Sequence, residues 1–450
     1  MFVTFIRRGW VLAAACLLVF SDAHAQLNFN PPRIVVSNHP MELMLIDGPP
    51  SRVAIPGTRL EFVVNTDRDV FYDTENEAWY LLRDDHWLRN SMLASGDWIN
   101  TIDLPEGFLT LQLSSDWPQV AGAMPARKAK TPPVPLVISY EPTELVLIDG
   151  NTELETIPGT SLDFVSNTAD DLFFYKEQYY LLLSGRWFST KSFKRQWSSV
   201  KTLPAEFAAI PADHRKAGVL VSVPGTPQAE QAVAEAAKPK RAVVTLDQEN
   251  KSEVPYVGEP NFVDIEATGL RRAENTPYQV IMHNNYYYLC FEGAWYSSTN
   301  PRTGWRAATE IPEAIYTIPP TDPAYNVTFV KVAAFDDSSG EVAYTSTSGY
   351  YNRYYTGSTM VYGTGWYYPG YYNRAAYWRY PYTYGYGAWG PYYPYRYNRS
   401  ETYDVNTREK DWEWDLDGNK RRVYTYGPRN YIGSGDYRMP DSDNYTGDRK

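Results

Sequence analysis

The chain has 450 residues, 43% hydrophobic and 16% aromatic, enough to fill the cores of two to four domains. Its 42 Lys+Arg against 53 Asp+Glu give a formal net charge of -11, which opposes binding to nucleic acid.

At the start, Arg7 and Arg8 precede the apolar run Trp10 to Phe20 and the small-x-small sequence Ala23-His24-Ala25. This is the pattern of an export leader over residues 1–25, with Gln26 as the first mature residue. The run is too short for a stop-transfer helix, and no later stretch is long and apolar enough, so no transmembrane span is expected in the mature chain. A periplasmic, outer-membrane-associated or secreted location follows. Cys16 follows Ala13-Ala14-Ala15, a poor match to a lipid-attachment motif. Loss of the leader leaves Cys290 alone, which excludes an intrachain disulfide and leaves stability to packing.

Self-comparison then gives the organisation of the chain. Pro40-Met-Glu-Leu-Met-Leu-Ile-Asp-Gly48 returns as Pro142-Thr-Glu-Leu-Val-Leu-Ile-Asp-Gly150, and Ile55-Pro-Gly-Thr58 with Asn65-Thr66 returns as Ile157-Pro-Gly-Thr160 with Asn167-Thr168. A third, diverged copy begins near Tyr256 and keeps Asn275-Thr276. All three hold a tyrosine (Tyr80, Tyr180, Tyr288) and, seven residues on, a tryptophan (Trp87, Trp187, Trp295). A second tryptophan (Trp98, Trp197, Trp305) is followed seven residues later by Pro105, Pro204 or Pro312.

Short apolar runs punctuated by Asp-Gly, Pro-Gly and Asn-Thr predict a mainly β protein of three tandem small antiparallel modules. Their predicted bounds are 32–118, 132–224 and 242–335, with a linker over 119–131. The first two copies read as separate modules. A short helical spacer over 225–241 leads to the third, with Thr226 as N-cap and Pro227 at the first helical position. Hairpins around Asp84-Asp85, Ser184-Gly185 and Glu292-Gly293 place Trp87 opposite Leu82, Trp187 opposite Leu182 and Trp295 opposite Cys290. Cys290 thus stands where the other copies have leucine and reads as a small buried hydrophobe.

Residues 342–400 form a Tyr/Gly/Trp-rich region without a single acidic residue. Short glycine-separated strands and low-complexity chain both fit that composition. A charged tail over 401–450, read as partly disordered, completes the chain.

Few groups suited to catalysis are present. The mature chain has only His39, His86, His214 and His283, none paired at metal-ligand spacing, and it lacks a nucleophile elbow and a phosphate loop. The acidic residues leave a glycosidase-like carboxylate pair as the open alternative. Glu413-x-Asp415-x-Asp417-Gly418 imitates a calcium loop, but Tyr424 stands at the closing position and Lys420, Arg421 and Arg422 crowd it. A polar hairpin turn at Asp417-Gly418 is the simpler reading. No catalytic residue, metal or cofactor is assigned.

The aromatic side chains suit sugar recognition, since a pyranose ring stacks its C-H face on a flat indole or phenol and repetition adds avidity. Strand packing is the competing use of the same rings. Core packing and ligand stacking both fit Trp87, Trp187 and Trp295. The second set follows polar or glycine-bearing loops, where rings can lie near solvent. The expected carbohydrate-binding residues are therefore Tyr296, Trp305, Trp197, Trp98, Tyr288 and Tyr180, with Tyr296 and Trp305 as a two-ring platform.

The unit Tyr179-Tyr-Leu-Leu-Leu-Ser-Gly-Arg-Trp-Phe188, with Trp197, Leu203-Pro204, Val221-Ser-Val-Pro-Gly-Thr226 and Val361-Tyr-Gly-Thr-Gly-Trp366, resembles exported bacterial proteins named carbohydrate-binding family V/XII. The likeness covers most of the mature chain. It implies a noncatalytic polysaccharide binder of the bacterial envelope, with a polysaccharide or cell-surface glycan as partner. Gly293-Ala-Trp295-Tyr296 with Gly304-Trp305 looks similar to chitin- and cellulose-binding modules, whereas Leu88 and Phe188 replace the second aromatic in the other copies. The alternative is a structural or assembly protein whose repeats contact envelope proteins.

Overall fold

The computed structural model describes residues 27–366 apart from short loop stretches, together with two paired strands in the tail, Asp411–Trp414 and Lys420–Val423. The expected leader with its expected cleavage point, residues 367–400, the expected Asp417-Gly418 turn and most of the tail lie outside the described residues.

The chain is mainly β, as its patterning predicts. Strands β1 (Arg33–Ser37) and β2 (Glu42–Leu45) precede a six-stranded antiparallel meander. Its strands are β3 (Arg52–Ala54), β4 (Leu60–Val63), β5 (Asp69–Asp73), β6 (Ala78–Arg83), β7 (His86–Asn90) and β8 (Ile99–Thr101), and helices α1 (Gly107–Gln112) and α2 (Pro118–Gly122) follow. In the second copy β9 (Leu136–Ser139) and β10 (Thr143–Leu147) lead into the equivalent meander of β11 (Leu154–Thr156), β12 (Asp163–Val165), β13 (Asp171–Tyr175), β14 (Gln178–Leu183), β15 (Arg186–Thr190) and β16 (Ser198–Ser199). Helix α3 (Pro227–Ala237) and β17 (Lys240–Thr245) come next. The third meander is β18 (Phe262–Ile265), β19 (Leu270–Ala273), β20 (Gln279–His283), β21 (Tyr286–Phe291), β22 (Ala294–Ser298) and β23 (Arg306–Ala307). Strands β24 (Val330–Asp336), β25 (Glu341–Ser346), β26 (Arg353–Thr356) and β27 (Thr359–Tyr362) follow it.

Repeated letters in the sequence have repeated mechanical roles. Ser184 and Gly185 both have positive φ, as do Glu292 and Gly293, and these two-residue turns match the twist of the flanking strands. The resulting register sets Trp87 against Leu82, Trp187 against Leu182 and Trp295 against Cys290. The Thr58, Thr160 and Thr268 hydroxyls donate to the carbonyls of Ile55, Ile157 and Ile265 at 2.8 to 2.9 Å. Asn65, Asn167 and Asn275 each accept from a backbone N–H fourteen residues earlier while their amides donate to nearby carbonyls. These polar side chains satisfy turn backbone and are spent on the fold.

Two arrangements depart from the expected separate antiparallel modules. β1 pairs in parallel with β10, and β2 pairs in parallel with β9. Since β1 corresponds to β9 and β2 to β10, the first two copies exchange leading strands reciprocally. One ribbon sets Met44, Ile46 and Leu136 on the first sheet, and the other sets Val146, Ile148, Ile34 and Val36 on the second. The first two repeats are therefore interlocked. The predicted linker also contributes to a core, because α2 and Ala123 pack with Trp117 beneath the first sheet.

The third copy lacks the exchanging strands. A three-stranded antiparallel sheet ordered β17-β25-β24 packs on its β22, and the Tyr344 hydroxyl donates to the carbonyls of Trp295 at 2.8 Å and Ala308 at 2.9 Å. Part of the Tyr/Gly-rich region is thus structural. Helix α3 begins as its cap predicts, with the Thr226 hydroxyl accepting from Ala229 N–H at 3.2 Å, and packs against β27.

A buried arginine joins the two ends of this framework. Arg186 donates to the carbonyls of Asn28, Ser184, Tyr362 and Gly363 at 2.8 to 3.2 Å, so four neutral acceptors surround its charge. Gly185 lies where an added Cβ would stand 2.2 Å from the Met360 carbonyl oxygen, whereas Gly57 has a similar φ and open space around it. Both substitutions to alanine carry a left-handed backbone penalty of about 1 kcal/mol, but Gly185→Ala also displaces β27. Urea unfolding is expected to show a clearly larger loss for Gly185→Ala than for Gly57→Ala; equal losses would contradict the close seating of the hairpin.

Candidate functional site

Each hairpin tryptophan is the centre of a closed core. The Trp87, Trp187 and Trp295 indoles donate to the carbonyls of Ala123, Ser222 and Val330 at 3.3, 2.7 and 2.9 Å. Pro105, Pro204 and Pro312 each open a helical turn that brings Phe108, Phe207 or Ile315 under the sheet. Phe108 meets Trp87 edge-on at 4.7 Å, and Phe207 meets Trp187 at 4.9 Å. These residues were not among those singled out from sequence, although the repeated prolines point to them. Tyr80 and Tyr180 lie in the same clusters, where burial raises the pKa of their hydroxyls. Tyr288, half-buried on the same face of the third copy, has its pKa raised by burial as well. Burial likewise raises the pKa of the Cys290 thiol, which keeps it protonated and unreactive.

The second tryptophans are not surface platforms, and this corrects the expectation for Trp98, Trp197 and Trp305. Their exposures are 3%, 6% and 0%, and Tyr296 is only 8% exposed. Tyr296 and Trp305 do meet in one cluster, but within the core of the third copy. The reason is that each sheet is covered on both faces. Trp98 packs with Leu88 and Met44 under one exchanged ribbon, and Trp197 packs with Phe188 and Val146 under the other. The preceding loops are tightly turned: Asn90, Thr190 and Ser298, the last residues of their strands, accept from the N–H two residues on and direct the chain back over the sheet.

A solvent-facing aromatic pair occurs elsewhere, at the outer end of the first sheet. Tyr72 on β5 and Trp79 on β6 are direct cross-strand partners, both half-buried, with centroids 4.7 Å apart and rings tilted by 50°. The turn between their strands is fixed by Asp73, whose carboxylate accepts from the Glu75 N–H and the Asn76 amide. The Arg52 guanidinium lies 4.4 Å from the Tyr72 centroid and 5.7 Å from that of Trp79, and it pairs with Glu61 at 3.3 Å. Pro50, Arg52, Tyr72, Glu77, Trp79 and Ser91 line an open cleft of about 390 Å³. It brings together two mutually tilted aromatic rings, partly covered by the Arg52 guanidinium, and polar groups able to donate and accept hydrogen bonds. Trp79 adjoins the repeated Tyr80, and its position is aromatic in every copy, as Tyr179 and Tyr287, but it was not among the residues singled out from sequence.

Among the described residues no three His, Cys, Asp or Glu side chains gather as metal ligands would, and no helix is long and apolar enough to cross a membrane. Comparison with family models, curated proteins and solved structures finds no match to this chain.

Burial changes the expected result of mutagenesis. Trp305→Ala removes a fully buried indole and is expected to destabilise by about 3 to 5 kcal/mol. Guanidinium unfolding should show a correspondingly lower midpoint; an unchanged midpoint would contradict this packing.

Proposed function

We propose that the chain is a noncatalytic glycan-binding protein of the bacterial envelope or exterior, contacting polysaccharide at the first-repeat cleft. The half-buried Tyr72–Trp79 pair at the open cleft carries this reading. A sugar ring requires an apolar plane for its C-H face and polar groups in reach of its hydroxyls, and the cleft supplies Trp79 for the first and Arg52, Glu77 and Ser91 for the second. The export-leader pattern of the first residues and the resemblance in the repeat motifs support the same reading. The buried rings Trp98, Trp197, Trp305, Tyr296 and Tyr180 support the scaffold under this reading.

One observation favours a second reading, an assembly role through protein contact. Met92, Ile99, Ile102, Leu109 and Leu113 of the first repeat are large apolar residues left exposed.

Sedimentation with insoluble chitin and cellulose separates the two readings. Glycan binding predicts that the mature chain pellets with at least one polymer and that Trp79→Ala weakens this about tenfold, corresponding to about 1.4 kcal/mol of lost stacking. Trp79 also packs against the cluster of Met44, Leu88 and Trp98, so the melting temperature should fall while a single cooperative transition is retained. Absence of pelleting across a wider glycan panel, with a protein partner lost on Ile99→Lys, would replace the glycan reading with the assembly one.

A further inference from the structure

We propose that the β15–β16 edge of the second repeat is a cationic surface that docks on anionic lipid headgroups, independently of the glycan reading. Charge separates the equivalent stretches of the three copies. From the start of the central hairpin to the repeated proline, residues 178–204 hold Arg186, Lys191, Lys194, Arg195 and Lys201 and no carboxylate. Residues 78–105 hold Asp84, Asp85, Asp97 and Asp103 against Arg83 and Arg89, and residues 286–312 hold Glu292 and Glu310 against Arg302 and Arg306.

Four of the five cations do nothing for the fold. Arg186 is buried among its carbonyl acceptors. Lys191, Lys194, Arg195 and Lys201 are exposed, and none is ion-paired among the described residues, whereas Arg215 and Lys216 of the same repeat pair with Glu155 and Asp171. The strand register, with Leu93 and Phe193 packed alike, sets Ser91, Ala94, Ser95 and Ile102 of the first copy at their places. Lysine commonly guards a bare strand edge, but β16 is flanked by the N-terminal segment, the Ser199 hydroxyl donating to the Phe29 carbonyl. The loop before β16 is also fixed, since Ser192 accepts from the Lys194 N–H at its hydroxyl, 3.4 Å, and from the Arg195 N–H at its carbonyl, 2.9 Å.

Spacing and shape choose the partner. Lys201 lies level with Arg186 at the start of β15, so the four charges are strung along an edge of about 17 Å, at ~3.4 Å per strand residue. That exceeds the reach of one small anion and fits an extended array of phosphates, for which lysine serves as a point charge. A sugar polymer would need an open ring to stack on. Phe193, the aromatic side chain of the loop, is instead engaged with Tyr179 at 4.2 Å and Trp197 at 6.4 Å. With a net charge of -11, the rest of the chain is repelled by an anionic membrane, so this edge also sets which way the protein faces.

Co-sedimentation of the mature chain with vesicles tests the assignment. Vesicles of phosphatidylcholine with about one-third phosphatidylglycerol should carry the protein down at low salt, and phosphatidylcholine alone should not. Salt at about 1 M should release it, because the screening length falls to ~3 Å. Lys191→Ser, Lys194→Ala and Arg195→Ser combined, which restore the residues of the first copy, should weaken binding about a hundredfold at about fivefold per charge, with the melting temperature unchanged. Lys128→Gln with Lys130→Gln, two exposed cations of the linker, should leave binding intact. An equal loss per charge there would reduce the effect to net charge and overturn the proposal. Failure to pellet with the anionic vesicles would overturn it as well, and capture by polygalacturonate instead would give the edge to an acidic polysaccharide.

Discussion

An indole N–H that reaches a backbone carbonyl 35 or 36 residues further along the chain closes every repeat of this protein. A tight hairpin presents the ring, and the downstream helical turns supply both the carbonyl and the Phe or Ile that fills the space beneath it. Burying one such ring removes ~150 to 250 Å² from water, about 4 to 6 kcal/mol at ~25 cal/mol per Å². The hydrogen bond adds direction, since a buried indole donor left without a partner is penalised. The spacing of tryptophan, tryptophan and proline is therefore a folding constraint before it is anything else.

Covering the opposite face required a second solution, and the copies differ in it. The first two exchange strands through β1–β10 and β2–β9, which makes each dependent on the other's leading segment. The third uses β17, β24 and β25, which flank its six-stranded meander in the chain. With both faces closed, the rings most prominent in the sequence are internal. Under the glycan reading, contact falls to the half-buried Tyr72–Trp79 pair at the hairpin end of the first sheet, whose Trp79 also packs against the core.

The hairpin register was legible because turn type and two-residue periodicity determine it together. So were the α3 cap, signalled by Thr226-Pro227, and the burial of Cys290, signalled by leucine in the other copies. The strand exchange was hidden, because parallel pairing between distant segments leaves no local mark. Burial on both faces did leave one: Tyr80-Leu81-Leu82 and Tyr180-Leu-Leu-Leu183 are continuous apolar runs, the pattern of strands covered on each side, whereas half-exposed strands alternate. Reading loop polarity as exposure outweighed that signal for Trp98, Trp197 and Trp305. Trp79 was passed over because the invariant Tyr80, Tyr180 and Tyr288 beside it drew the comparison, although Tyr179 and Tyr287 keep its position aromatic.

Proton–nitrogen correlation spectra of the indole groups during titration with a neutral oligosaccharide address this account most directly. Ligand contact at the first-repeat cleft predicts that the Trp79 indole resonance moves with ligand concentration while those of Trp98, Trp197 and Trp305 stay in place. Movement of the Trp305 resonance with Trp79 unchanged would contradict the account and return the site to the core of the third repeat.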